Sequence, residues 1–259
     1  MSWWGKVVGG TFGFMLGGPL GALMGVSLGN YFDGGLTAQS SRLGLGATER
    51  VQSAFFTTTF ALMGYVAKSD GKVTRDEIAM AERVMSQMRL NAQQREVAVK
   101  LFNEGKRQDF PLEEVLTQFK RESFRRSSIV QMLLEIVAAT ALADGTLHAQ
   151  ERKTLELIAS KLGVSRPRLD AILARVSGQA GFESADESRS KLSAAYALLA
   201  IESSASMEEV KRAYRRQMSQ HHPDKLVAKG LPEEMIDIAN RKTQDIKSAY
   251  DLIRKSREG

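Results

Sequence analysis

Hydrophobic and polar positions along the chain follow three successive patterns. Residues 7–32 carry no charged side chain. From residue 49 to about residue 177, apolar side chains recur at the i, i+3, i+4 spacing of amphipathic helices, and a similar spacing returns after residue 191. Alternating runs typical of β-strands are absent from the sequence. The pattern predicts an all-α protein with an apolar N-terminal segment, a middle helical domain and a smaller C-terminal helical domain.

The apolar N-terminal segment has the properties of a transmembrane helix. At about 1.5 Å of rise per residue, the charge-free residues 7–32 are long enough to cross the roughly 30 Å hydrocarbon core of a bilayer. Aromatic side chains, which favour the membrane interface, stand near both ends: Trp3, Trp4, Tyr31 and Phe32. A cleaved signal peptide is the alternative, but no clear cleavage site follows. We therefore predict a single membrane anchor over residues 1–36.

Small residues in this segment follow a regular spacing that favours self-association. Small residues on one helix face let two helices approach closely in a membrane, so we predict a homodimer formed through this face. The alternative is a span that is merely glycine-rich. The glycines concerned recur at every fourth position: Gly9, Gly13, Gly17, Gly21, Gly25 and Gly29.

The distribution of basic residues around the anchor predicts its orientation. Only Lys6 precedes the apolar stretch, whereas four basic residues follow it, namely Arg42, Arg50, Lys68 and Lys72. By the positive-inside rule, the short N-terminus is expected outside and the bulk of the chain in the cytoplasm. Small and polar residues over 37–48 are interpreted as a linker.

The middle region, residues 49–177, contains an internal repeat. Asp70-Gly71-x-Val73-x-x-x-Glu77 returns 74 residues later as Asp144-Gly145-x-Leu147-x-x-x-Glu151. Each copy reads as a helix, a turn containing glycine and a second helix. Two such hairpins, joined by helices around 91–105 and 111–124, would form one bundle with a shared core.

This repeat resembles the TerB-type domain of tellurite-resistance proteins. The resemblance implies that the acids of the two turns, Asp70, Glu77, Asp144 and Glu151, are candidate metal ligands. The alternative, which we favour, is that Asp and Gly form each turn while Glu caps the following helix, because two acids seven residues apart lack the dense ligand run of a calcium loop. No cofactor is therefore predicted.

Charge and composition narrow the possible partners. The chain has 36 Lys and Arg against 30 Asp and Glu, which permits an acidic protein, anionic lipid or nucleic acid as partner. Nucleic acid is disfavoured because no base-stacking aromatic residues accompany the basic ones. The absence of cysteine excludes disulfides, cysteine-ligated metals and thiol catalysis. A basic stretch over residues 120–126 is interpreted as a solvated face, which close to a bilayer could contact anionic lipid.

The C-terminal region begins after small, polar residues 178–190, which we interpret as a flexible linker. A short apolar helix comes first. Ser206 and Glu209 then form a capping box for a second helix, which is expected to end before Pro223. A loop through Gly230 leads to a third helix, predicted over about 232–253.

Four motifs in this region, residues 191–259, resemble the J domain of DnaJ co-chaperones. They are Tyr-x-x-Leu-x-Ile at 196–201, Lys-Arg-Ala-Tyr-Arg-Arg at 211–216, His-His-Pro-Asp-Lys at 221–225 and Ile-Lys-x-Ala-Tyr at 246–250. The chain departs from the family at Ala200, where glycine is common, and at Thr243, where many members have phenylalanine.

The resemblance implies a binding site for the chaperone DnaK and promotion of ATP hydrolysis by DnaK. The implied site comprises Lys211, Arg212, Arg215 and Arg216 on the second helix, with His222, Pro223, Asp224 and Lys225 after it. A zinc site or catalytic triad built on the adjacent histidines is unsupported, since too few ligands are present and adjacent residues rarely converge on one nucleophile. The protein is therefore not expected to be an enzyme.

The three regions together resemble a membrane-anchored DnaJ-like co-chaperone. The alternative function is a membrane-proximal adaptor or regulator that acts through the TerB-like domain on an envelope signalling partner, with the J domain secondary. A metal-responsive sensor using the acidic turns is a third hypothesis.

Overall fold

The computed structural model describes residues 47–184, 188–232 and 235–258 of the 259-residue chain. The predicted membrane segment and its glycine face lie outside the described residues. Within the described ranges, no helix has the length and apolarity needed to cross a membrane.

The described part of the chain is entirely helical, and the all-α prediction is confirmed. It contains eleven helices and no strand: α1 (Ala47–Ala67), α2 (Arg75–Gln87), α3 (Ala92–Gly105), α4 (Leu112–Glu122), α5 (Ser127–Ala141), α6 (Ala149–Lys161), α7 (Arg166–Ser184), α8 (Ser188–Leu198), α9 (Met207–His221), α10 (Pro223–Val227) and α11 (Ile236–Glu258).

Helix α1 forms the centre of the middle bundle. It packs against α3, α4 and α5, and its aromatic residues Phe55, Phe56 and Phe60 are at most 1 % exposed. The apolar residues whose spacing predicted one buried helix face are all buried in the core of the bundle. Neighbouring threonines are also buried. Each of these apolar side chains contributes about 1.5–3 kcal/mol when it is buried, so α1 contributes substantially to the stability of the bundle.

The two halves of the internal repeat adopt the same local structure. Gly71 and Gly145 have φ angles of +97° and +87°, in the left-handed region that favours glycine. The helices that follow, α2 and α6, each begin with a capping box in which Glu77 or Glu151 accepts the backbone N–H of the residue before the helix. The repeat read from the sequence therefore corresponds to a repeated turn and helix start.

The chain departs from the flexible linker predicted over residues 178–190. Helix α7 continues to Ser184, α8 begins at Ser188, and Phe182 is buried in the core of the C-terminal region. The small residues serve close packing rather than flexibility. A Cβ atom at Gly178 would lie 2.7 Å from the backbone nitrogen of Leu198, so only glycine lets α7 and α8 approach this closely.

The C-terminal region forms a helical hairpin of α9 and α11, braced by α8. Val210 and Ala213 of α9 pack with Ile246 and Ala249 of α11, and the rings of Tyr214 and Tyr250 stack with centroids 4.5 Å apart. Two details differ from the predictions. The segment after His222, expected to be a loop, contains the short helix α10, and α11 extends to Glu258 rather than to about residue 253.

This hairpin is packed directly onto the middle bundle. Leu226 of α10 and four residues that follow it belong to the same apolar core as α1 and α5: Leu231, Met235, Ile238 and Ala239. Ala239 packs against the bundle and not inside the hairpin, because α11 contacts different partners along its length. The two regions therefore share a continuous core, which fixes the position of the candidate site.

Candidate partner-binding site

Helix α9 presents a basic face to solvent. Its N-terminus is closed by the capping box of Ser206 and Glu209, and its apolar face is buried against α11. The four basic residues of the predicted site, Lys211, Arg212, Arg215 and Arg216, are exposed, and none is held in an ion pair within the described residues. These charges are therefore available to an acidic surface.

The backbone leaves the helix at His222, as the sequence predicted. His222 has an extended backbone (φ −60°, ψ 124°), and Pro223 occupies the first position of α10. Helices α9 and α10 thus meet at His222, and because both helices are hydrogen-bonded, the angle between them is fixed. Because proline has no rotatable φ, little conformational freedom remains for a partner to remove.

The side chains of this turn are largely exposed: that of Asp224 is 91 % exposed and that of His222 is 46 % exposed. Nδ1 of His222 is itself buried, lies 3.9 Å from a carboxylate oxygen of Asp224 and has no hydrogen-bond partner in the described part of the chain. Lys225 donates to the hydroxyl of Ser219 at 2.8 Å, which ties the turn back to α9.

The neighbouring histidine, His221, points in the opposite direction and is 3 % exposed. Its Nδ1 lies 3.0 Å from the carbonyl oxygen of Gln217, and its Nε2 lies 3.0 Å from a carboxylate oxygen of Glu135 on α5. A carbonyl oxygen and an ionised carboxylate are both hydrogen-bond acceptors, so the ring of His221 is held between two acceptors.

Glu135 is the centre of a buried cluster of charges between the two domains. Its side chain is 2 % exposed and also lies 3.2 Å from Arg175 on α7 and 3.1 Å from Lys242 on α11. Burial alone would raise the pKa of Glu135, but His221, Lys242 and Arg175 together outweigh it and hold this pKa well below its ordinary value. We call these four residues the Glu135 cluster.

Other polar contacts extend this interface. The amide of Gln131 donates to Gln220 at 3.3 Å, next to the Glu135 cluster. Arg89 forms an ion pair with Asp237 at 2.6 Å at the edge of the interface, and Lys229 donates to Ser128 at 2.9 Å. Contacts on both sides of the turn therefore hold the C-terminal end of α9 against the bundle while His222 faces outward.

The sequence analysis did not identify the Glu135 cluster. One signal was present, since Glu135 is the only acid in the otherwise apolar α5 sequence SSIVQMLLEIVAATA. A charged residue in a buried helix is rarely found without a partner. The partners could not be assigned, because His221 is 86 residues away and the other two residues resemble ordinary surface cations.

The four candidate metal ligands all have local roles. Asp70 and Asp144 accept the backbone N–H groups of Lys72 and Thr146, at 3.0 and 2.8 Å. Glu77 and Glu151 act in the capping boxes, and burial raises the pKa of both. Within the described ranges, no three potential ligands come together in a geometry that could hold a metal ion. The contacts favour the interpretation as turns and caps.

Comparison with protein families finds three matches in the order predicted from the sequence. The model described as co-chaperone DjlA transmembrane domain matches residues 1–41, that of tellurite resistance protein TerB matches residues 57–175, and the DnaJ domain matches residues 194–258. The family matches for the anchor, the TerB-like domain and the J domain therefore each fall on the region of the chain that carries the corresponding sequence motifs.

Curated relatives match the chain over its whole length. The co-chaperone protein DjlA of Shewanella oneidensis is 46 % identical over 260 residues, covering 99 % of both chains. Those of Photobacterium profundum and Vibrio cholerae are each 42 % identical, covering 98 % and 99 % of this chain and 99 % of their own. No solved structure matches the chain significantly.

Proposed function

Because the chain belongs to the DjlA family of membrane-anchored co-chaperones, we propose that it binds DnaK through its J domain and stimulates ATP hydrolysis by DnaK at the cytoplasmic face of the inner membrane. The observation that carries this proposal is the pair of adjacent surfaces on α9 and α10. Four exposed basic side chains lie beside the His222-Pro223-Asp224 turn, and Leu226, just after it, is packed against the bundle.

The two surfaces would have different physical roles. The exposed cations of α9 would steer an acidic surface of DnaK into contact, which gives fast but salt-sensitive association. The rigid turn would then present His222 and Asp224 in one orientation, so that little entropy is lost on contact. The hydrolytic chemistry stays in DnaK, and this protein acts as a regulator.

The test is single-turnover ATP hydrolysis by DnaK in the presence of the full chain in nanodiscs. We expect stimulation by the wild type and its loss in Asp224→Asn, which removes one exposed charge from the turn. Asp76→Asn, an exposed aspartate on α2, is the matched control and should stimulate fully. Equal stimulation by both variants would contradict the proposed role of the turn.

A second arm tests the basic face. Lys211→Ala combined with Arg215→Ala should weaken DnaK binding about 10- to 100-fold at low salt, with a smaller difference at high salt. The control removes two exposed cations elsewhere, Arg83 and Arg95. If both double variants lose the same affinity, net charge rather than this face governs binding.

The anchor would bring two J domains together. The glycine face of residues 9–29 supports close packing of two spans, and a dimer would raise the local concentration of J domains. Gly17→Ile and Gly21→Ile together should abolish disulfide cross-linking between chains carrying a cysteine introduced at Ser2, whereas Leu20→Ile should not.

The cysteine introduced at Ser2 should also react with a membrane-impermeant thiol reagent from the periplasmic side, as the proposed orientation requires.

A further inference from the structure

One aromatic side chain of the middle bundle is unusually accessible. Phe124, in the turn between α4 and α5, is 70 % exposed. The other large apolar side chains that are exposed in the described part, Ile78, Val99 and Leu157, are 45–47 % exposed and none is aromatic. A single exposed apolar residue needs no explanation by itself, so the surroundings of Phe124 decide its meaning.

The backbone of the turn holds Phe124 away from the protein. Helix α4 ends at Glu122, and the hydroxyl and N–H of the next residue, Ser123, both donate to the carbonyl oxygen of Phe119. Arg125 then adopts φ +60°, a left-handed conformation that is unfavourable for a residue with a Cβ atom. The two ends of the turn are thus fixed, and Phe124 lies between them on the outside.

Basic side chains surround this aromatic residue. Lys120, Arg121 and Arg125 are exposed, and the guanidinium of Arg125 lies 5.3 Å from the Phe124 ring. The nearby acid, Glu122, is shared by Arg50 at 3.5 Å, Arg121 at 3.7 Å and Gln118 at 2.9 Å, so one carboxylate faces several cations. The exposed charge of the turn is therefore positive. We call Phe124 with these three basic residues the Phe124 surface.

The Phe124 surface lies at the end of the bundle where the chain enters from its anchor. The Arg50–Glu122 ion pair places the end of α4 beside the start of α1. Gly230 also lies against both Val51 and Arg126, so the starts of α1 and α5 are neighbours. Fifteen residue steps separate Phe32 from Ala47, so the start of α1 stays within about 50 Å of the apolar stretch even if this chain is fully extended.

The opposite end of the bundle has a different character. Helix α1 spans 21 residues, or about 30 Å, and carries the Asp70-Gly71 turn at its far end. The Asp144-Gly145 turn lies at the same end, since Asp144 contributes to raising the pKa of Glu77. The exposed aromatic residue and its basic neighbours thus lie at the anchor end of the bundle, whereas the two Asp-Gly turns, the first flanked by Lys68 and Lys72, lie at the other end.

We propose that the Phe124 surface binds the membrane that holds the anchor. Phe124 inserts among the lipid headgroups, and Lys120, Arg121 and Arg125 contact anionic lipid phosphates. An aromatic ring beside basic residues suits this interface, where rings favour the headgroup level and cations are attracted to anionic lipid. The anchor keeps the bilayer close, so even a weak contact is populated. This second contact sets the direction in which the bundle, and the J domain packed on it, faces from the membrane.

The chain has no cysteine, so single spin labels can report depth in the bilayer without background. Ser127 is exposed three residues after Phe124 and leaves the aromatic residue intact, so Ser127→Cys in the full chain is the reporter. Lys72→Cys, exposed at the far end of α1, is the matched control. A spin label is attached to each cysteine in nanodiscs containing phosphatidylglycerol. The rate at which the label collides with oxygen, which concentrates in the bilayer, is compared with its rate of collision with a water-soluble nickel chelate.

The expected result is a several-fold higher ratio of oxygen to nickel collisions at position 127 than at position 72. Adding Phe124→Ser, or replacing the lipid by phosphatidylcholine alone, should bring position 127 down to the value at position 72. Equal ratios at the two positions in the otherwise unchanged chain would overturn the proposal. So would a high ratio at position 127 that survives Phe124→Ser, since another surface would then make the contact. Loss of DnaK stimulation in either labelled chain would not affect this result.

Discussion

At positions 221 and 222, two identical side chains have opposite surroundings. His221 is closed inside the interface between the domains, where its ring lies between Gln217 and Glu135, while His222 is half exposed at the turn. The helical geometry of α9 up to His221 and the extended backbone at His222 produce this divergence. Only His222 is positioned to touch a partner, and His221 acts by holding α9 in place.

Neutralising the buried carboxylate should destabilise the protein strongly. Glu135→Gln keeps the side-chain volume but leaves His221, Lys242 and Arg175 without a counter-charge, and removal of one member of a buried ionic network costs about 3–5 kcal/mol. Chemical denaturation of the full chain in detergent would measure the change. Glu96→Gln on the exposed face of α3 is the control and should change stability by less than about 0.5 kcal/mol. Equal stability of the two variants would show that the cluster contributes nothing net.

The same carboxylate gives a pH dependence with a defined sign. The pKa of Glu135 is held well below the ordinary value of 4.5, so its stabilisation is present above that value and is lost as the pH falls through the depressed pKa. The difference in unfolding free energy between the wild type and Glu135→Gln should therefore not shrink between pH 7 and about 5. This difference in unfolding free energy should shrink only in stronger acid, where Glu135 of the wild type is protonated. A difference that already shrinks above pH 5 would contradict the depressed pKa.

The backbone at Ala200 shows why glycine is common at this position of J domains and what alanine costs there. It has φ +54°, a left-handed conformation that costs a residue with a Cβ atom about 1–2 kcal/mol and costs glycine almost nothing. Part of that cost is offset by the greater freedom of glycine in the unfolded chain. Ala200→Gly should therefore raise stability by up to about 1 kcal/mol in thermal denaturation. Ala194→Gly, inside α8, should lower it by a similar amount.

At the scale of elements, the contact between α7 and α8 depends on small residues at defined positions. A Cβ atom at Gly178 would lie 2.7 Å from the backbone of Leu198, whereas one at Gly181 would meet only the Cβ atom of Ala194, at 3.4 Å. Gly178→Ala should cost about 1–3 kcal/mol through overpacking. Gly181→Ala should be neutral or stabilising, because alanine favours a helix by up to about 1 kcal/mol. Circular dichroism melts of the two variants would separate these outcomes, and equal melting temperatures would argue against close packing at Gly178.

The helices of the bundle and of the J domain could be predicted because their signals are local. Capping residues, glycine turns and Pro223 place element ends, and the i, i+3, i+4 spacing in α1 identified side chains that are now buried. The α7–α8 contact could not be predicted in this way. Glycine and alanine near residues 178–181 are typical both of flexible linkers and of closely packed helices, and only the partner helix distinguishes the two.

At the scale of the molecule, the sequence indicated two domains, but the structure joins them through a common core. Leu226 and Ile238, which belong to the J domain by their position in the chain, pack with the residues of α1 and α5. Such a contact depends on residues far apart in the chain and leaves no periodic signal. The basic face and the turn could be predicted residue by residue because their motif is contiguous in the sequence. The Glu135 cluster, which positions them, could not be predicted because its members are far apart in the chain.

The fixed position of the J domain gives the middle bundle a mechanical role. A TerB-like domain that contacts α9, α10 and α11 sets the direction in which the turn faces, independently of any client that it binds. Because a linker is predicted between the anchor and this bundle, a defined orientation of the J domain at the membrane would require the second contact proposed for the Phe124 surface.

Single-turnover ATP hydrolysis by DnaK, compared between His222→Gln and His221→Gln of the full chain, tests this account most directly. The account predicts that His222→Gln loses stimulation with an unchanged melting temperature. His221→Gln should still stimulate at temperatures below its melting temperature, although its free energy of unfolding falls by about 3–5 kcal/mol because a member of the buried ionic network is removed. Stimulation by His222→Gln equal to that of the wild type would contradict the central claim, since the exposed turn would then not be the surface that acts on DnaK.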